Sequence, residues 1–221
     1  MTTTAFWVFN SITRANSNSI LMFLQPVEPQ EDFTYSAWNV VNPSPHSFQS
    51  KTLETTYSAS IAEVGGSDFS TPTELMLGMP RIITNPDGQS PAITSAVATP
   101  AQLECSADQV GLFSLANTPP TPLSITWYVT GKKVVETNTL PTTALQPGNG
   151  GLFELQQTLY LMFAQHPIST ATYTEQTVSS QMKIPFASDA TDVYIQAYTD
   201  ESDSIDKCRK VTKAEWDKLT G

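Results

Sequence analysis

The segment Leu152–Phe163, LFELQQTLYLMF, decides the class of fold. It is long enough for a helix. Yet Phe153, Leu155, Leu159, Leu161 and Phe163 all sit at odd positions. That period of two belongs to a strand with one face on a core.

Working outward, the same alternation recurs. AFWVFN (Ala5–Asn10) sets Phe6 and Val8 on one face and Trp7 and Phe9 on the other. ILMFLQ (Ile20–Gln25) is a second strand, stopped by Pro26 and Pro29. Phe33–Val41 and the Thr/Ser-rich stretch Phe48–Ile61 follow around the turn Asn42–His46. Gly65-Gly66 and Asn85–Gly88 mark loops on either side of LMLGM (75–79) and RIIT (81–84). Ala92–Val97, Gln102–Cys105 and Val110–Leu115 are further strand segments, and Thr118–Pro122 reads as a loop. ITWYVT (Ile125–Thr130) turns through Gly131-Lys132 into Val134–Thr139. Thr172–Ile184 and Asp192–Thr199 complete the series. Short strands at this spacing predict an all-β chain: a two-sheet antiparallel β-sandwich of Greek-key or Ig-like type, one domain over residues 1–221. LMFLQP (21–26) echoes LMFAQHP (161–167), as equivalent strands in the two sheets would.

The tail is different. Thr212-Lys213-Ala214-Glu215 has capping-box spacing, with Val211 and Trp216 placed as a hydrophobic staple. One short helix is expected at Lys213–Leu219.

Composition excludes some partners. Charged residues are 14%, against an average near ~25%. The net charge of -10 repels a phosphate backbone or an anionic bilayer, so neither nucleic acid nor membrane is an expected partner. Residues 1–10 lack a basic, apolar leader, and the run Ile20–Leu24 is too short to span a bilayer. With no Asn-x-Ser/Thr sequon, a cytoplasmic protein is expected, with Cys105 and Cys208 as reduced thiols rather than one disulfide.

Catalytic signals are lacking. No GxSxG, GxGxxG or P-loop occurs, and a carboxylate pair among Glu54, Glu63, Glu74, Glu104, Glu136, Glu154 and Glu175 is unselected by spacing. His46 and His166 each lie near a proline and read as surface imidazoles. For a hard cation, the run Asp200–Asp206 offers Asp200, Asp203 and Asp206 as calcium ligands, with a solvated acidic turn as the competing reading. No enzyme is expected.

Aromatic side chains fall in pairs on the strands, so one of each pair can pack inside while its neighbour faces a ligand. Trp38 and Trp127 lead, flanked by Ser36, Asn39, Thr126 and Thr130; Tyr35, Tyr128 and Asn39 complete the expected ligand-binding set.

The order FWVFN, polar loop, ILMFLQP, SAW, NPSPHSF resembles the start of RhiA-type rhizosphere proteins over about the first fifty residues. That resemblance implies a β-rich, non-enzymatic protein. In size, acidity, missing leader and β content the chain is also similar to the pink chromoproteins of Pleurotus mushrooms, which implies a noncovalently held aromatic pigment. The expectation is a non-catalytic β-sandwich that holds a flat aromatic ligand, a pigment included, and forms a homodimer over its strand edges. A lectin-like carbohydrate binder is the alternative, and a storage or structural protein without ligand stands third.

Overall fold

The computed structural model describes residues 3–13, 19–29, 33–64, 70–88, 90–115, 122–137, 145–164, 171–174, 177–178 and 181–221. His166, Gly65-Gly66, Thr118–Thr121 and the echo residues beyond Ala164 lie outside them. Among the described residues the chain is mostly β, with one short C-terminal helix.

The strands in chain order are β1 (Thr3–Asn10), β2 (Ser19–Pro26), β3 (Thr34–Ser36), β4 (Asn39–Val41), β5 (Phe48–Glu54), β6 (Tyr57–Glu63), β7 (Thr73–Leu75), β8 (Arg81–Thr84) and β9 (Ala92–Val97). They continue as β10 (Val110–Ser114), β11 (Leu123–Val129), β12 (Lys132–Thr137), β13 (Gly150–Phe153), β14 (Leu155–Ala164), β15 (Thr172–Thr174), β16 (Met182–Pro185), β17 (Asp192–Thr199) and β18 (Asp206–Val211). Helix α1 spans Lys213–Thr220.

Four sheets form where two are expected. Their orders are β18-β17-β1-β5, β13-β10-β8-β9, β15-β3-β12-β11-β6-β7 and β16-β14-β2-β4. One reason is visible in β2. Its apolar run is continuous rather than alternating, and all its residues are buried, so it has no wet face. A second correction concerns direction: β1 pairs parallel with β17, and β8 parallel with β10. Both pairs join strands far apart in sequence, where no hairpin constrains direction. The echo strands β2 and β14 are neighbours in one sheet, with Leu161 opposite Met22. One buried cluster nevertheless draws on all four sheets, including Phe6, Leu24, Ile61, Leu112 and Ile195.

Local chemistry accounts for the remaining differences. Gln102–Cys105 is not a strand; the Gln102 and Leu103 amides donate to the Thr99 carbonyl at 2.8 and 3.0 Å, closing a turn. Leu103 then lies over Gly111 and Gly150, where a Cβ on Gly150 would stand 2.5 Å from a Leu103 methyl. The hairpin turn is Thr130-Gly131, one residue earlier than expected, with φ of 53° and 68°. Two positive φ values match the right-handed twist of the flanking strands. The Thr130 hydroxyl donates to the Glu54 carbonyl at 2.5 Å.

On β1 the alternation is as expected. Phe6 and Val8 enter the main core, while Phe9 and Trp7 join a smaller cluster with Val211 and Trp216. That second face is covered by α1. Its capping box is complete: Thr212 Oγ1 accepts from the Glu215 amide at 3.2 Å, and Glu215 Oε2 accepts from the Thr212 amide at 2.7 Å.

Candidate functional site

The chain leaves the six-stranded sheet at Ser36 and enters the β2 sheet at Asn39. Ala37-Trp38 is therefore a corner between sheets, and Phe33–Val41 is two strands rather than one. Trp38 is 1% exposed and meets Phe6 edge-on, with ring centroids 6.1 Å apart. Its indole Nε1 has no hydrogen-bond partner among the described residues. A buried donor in that state is costly unless an acceptor reaches it.

A notch of about 520 Å³ opens at this corner. Ser36, Ala37, Trp38, Asn39 and Val40 form one side. Lys132 and Lys133 of β12 and Thr172 of β15 form the other. Lys132 Nζ donates to Asn39 Oδ1 at 2.6 Å, tying the two sheets across the notch. Burial, and then the nearby Lys51 ammonium, lower the Lys132 pKa. Lys133 pairs with Glu136. In a chain with 11 basic against 21 acidic residues, Lys132 and Lys51 give this corner a local positive field, Lys133 being offset by Glu136.

Only Trp38 and Asn39 of the expected set line this notch. Tyr35 is 0% exposed; it faces Val135, which in turn faces Trp127, so both rings lie in one cross-strand row on a single face of the six-stranded sheet. Trp127 stacks on Phe153 at 5.4 Å and borders a different cleft. The Tyr128 hydroxyl lies 3.3 Å from Ser60 Oγ, away from both. The expected two-indole pocket is not assembled, because rows across a sheet group residues by register and not by residue type. Lys132 and Lys133 went unremarked in the sequence; two adjacent lysines after a hairpin glycine, in so acidic a chain, were the available signal.

A second cleft, of about 500 Å³, lies beside Tyr57, Asp108 and Glu154. Tyr57 is 6% exposed, and its hydroxyl makes no hydrogen bond among the described residues. Burial, then Glu154 and Asp108, push its pKa up to about 12. Glu154 Oε2 accepts from Gln109 Nε2 at 3.2 Å. A smaller cleft of about 220 Å³ shares Val27 and Glu154 with it and reaches Trp127 and Phe153.

At the acidic run, Lys207 Nζ lies 2.7 Å from both Asp200 Oδ2 and Asp203 Oδ2. Its ammonium stands where a calcium ion was expected and holds both carboxyls below their usual range. Asp206 instead accepts from the Thr199 hydroxyl at 2.8 Å on β18. Among the described residues no three His, Cys, Asp or Glu side chains are grouped as metal ligands. Cys105 and Cys208 are free thiols, the Cys105 Sγ donating to the Gln109 carbonyl at 3.3 Å, and burial raises the pKa of each, which disfavours the reactive thiolate. His46 is exposed. No helix of the described residues is long and apolar enough to cross a membrane.

Set beside known proteins, the chain matches no family model, no curated protein and no solved structure.

Proposed function

We propose that this is a non-catalytic binding protein whose ligand is a flat small molecule held in the Trp38 notch. The observation that carries the reading is a notch of suitable size lined by Trp38, a buried indole whose Nε1 has no partner among the described residues. Ser36, Asn39 and Thr172 add neutral polar contacts, and Lys132 suits an acidic or strongly polar edge on the guest. A conjugated pigment with oxygen substituents meets all these demands. The raised thiol pKa values and the internally paired acidic turn favour binding over catalysis. Self-association belongs to the same reading: β9 is a sheet edge with four of its six residues exposed, Val97 at 41%.

The test is native against denaturing mass spectrometry, with an absorption spectrum of the purified protein. A mass lost on denaturation, with a chromophore band that disappears with it, supports the reading. Trp38→Phe and Lys132→Gln should lower the occupancy. A native mass equal to that of the bare chain, after exposure to an extract of its source cells, defeats it. Light scattering on the same sample reports the oligomer.

A further inference from the structure

The cleft beside Tyr57 is separate from the notch and shares no lining residue with it. Four features point to a ligand there. Tyr57 lines the cleft and is buried, yet its hydroxyl makes no hydrogen bond among the described residues. Asp108 and Glu154 line the same cleft, and their carboxylates act on the phenol electrostatically. Burial first, and those carboxylates second, keep the phenol protonated, so it is a donor in a cleft that also holds two carboxylate acceptors. Gln156 Oε1 already accepts from the Tyr160 hydroxyl at 2.7 Å and Gln157 Nε2 donates to the Leu155 carbonyl at 3.5 Å, which leaves Gln156 Nε2 as a donor and Gln157 Oε1 as an acceptor for a ligand.

A mixed set of this kind selects for a chemical class. An anion is repelled, since no Lys or Arg is among the described residues that line the cleft. A bare cation would use the carboxylates but leave the Tyr57 donor and the amide N–H groups facing it unfavourably. A polyol satisfies all of them, because each hydroxyl both donates and accepts. Glu154 is also pre-oriented: Gln109 holds one carboxylate oxygen, and the Ser106 amide donates to the Gln109 side-chain oxygen at 3.2 Å.

The neighbouring small cleft extends the site. It shares Glu154 and Val27, and there Phe153 lies between Tyr57 at 6.0 Å and Trp127 at 5.4 Å. Two clefts on either side of one carboxylate suit a ligand with more than one unit. We infer that the Tyr57–Glu154 groove is a binding site for a neutral oligosaccharide, with Glu154 at the junction of two subsites.

The test uses the full chain on immobilised cello-, xylo-, malto- and chito-oligosaccharides, with spermine-coupled resin alongside. Binding to at least one saccharide series is expected. Tyr57→Phe and Glu154→Gln should each weaken it about tenfold, the loss of one buried hydrogen bond to a ligand. Tyr57→Phe keeps the ring and removes a hydroxyl that makes no hydrogen bond among the described residues, so far-ultraviolet dichroism should be unchanged. Lys132→Gln, in the notch, should leave saccharide binding intact, so failure here is separable from failure of the notch reading. No binding to any series, retention on spermine alone, or binding indifferent to both groove substitutions would overturn the assignment.

Discussion

Lys132 Nζ and Asn39 Oδ1, 2.6 Å apart, join two sheets at the point where the backbone crosses between them. Asn39 is buried and Lys132 exposed, so the bond forms the rim of the notch and also clamps its walls. A corner between sheets cannot close its packing as a flat sheet does, which leaves the notch open there.

Breaking that bond should cost stability modestly. Asn39→Ala is expected to lose about 1 kcal/mol, after discounting a charge-assisted bond for the exposed lysine. Asn39→Ala combined with Lys132→Met should cost little more than Asn39→Ala alone. Urea denaturation of the cycle measures the coupling, and strictly additive losses would remove the clamp.

Trp38 should separate packing from polarity. Trp38→Ala empties a core position and should lose about 3–5 kcal/mol. Trp38→Phe leaves a smaller void and removes an unpartnered N–H, and so should lose about 1 kcal/mol. Equal losses in chemical denaturation would show that the indole nitrogen has a partner after all.

The hairpin turn stores backbone strain at Thr130, a β-branched residue at φ 53°. Thr130→Asn relieves about 1 kcal/mol of left-handed strain and gives up a hydroxyl bond of similar worth, for a net change near zero. Thr130→Val keeps the strain and loses the bond, and should unfold earlier by about 1 kcal/mol. Thermal melts of the two variants should therefore diverge.

Helix α1 holds one face of the β1 sheet through Trp216, whose ring meets Trp7, Phe9, Phe48 and Tyr194 at 5.1–6.4 Å. Thr212→Ala should cost about 1 kcal/mol as a lost cap. Trp216→Ala should cost about 3 kcal/mol or more and expose Phe9. Hydrogen exchange at β17 and β18 should rise more in the second variant than in the first.

Alkaline pH should act through Tyr57. Its folded pKa is about 12 against an ordinary 10.0. Between those values the unfolded chain has already lost the proton that the folded one keeps. Stability is therefore fully present below pH 10 and falls as pH rises toward 12. Tyr57→Phe should flatten that fall, and its tyrosinate absorbance titration should lack one late step. An unchanged titration would mean the phenol is not buried beside Glu154.

Much of the fold was legible from single segments. The opposed faces of β1, the β14 strand and the capped helix all follow from spacings within a few residues. Where reading failed, two explanations recur. Breaks such as Glu154, between β13 and β14, depend on which sheet each half joins. At Gln102–Cys105, backbone groups found nearer partners in a turn than any ladder could supply. The site was less legible. Trp38 and Asn39 share a cavity, but Trp127 and Tyr35 went to core positions in the six-stranded sheet, and Lys132 entered from the far side of a hairpin.

From sequence alone, side-chain alternation and helix capping could be determined, because both are settled by contacts between near neighbours on one backbone. The pairing of β1 with β17, the split into four sheets and the meeting of Trp38 with Lys132 could not. Those depend on segments distant in sequence competing for the same hydrogen bonds and the same buried space, and only the folded chain decides that competition.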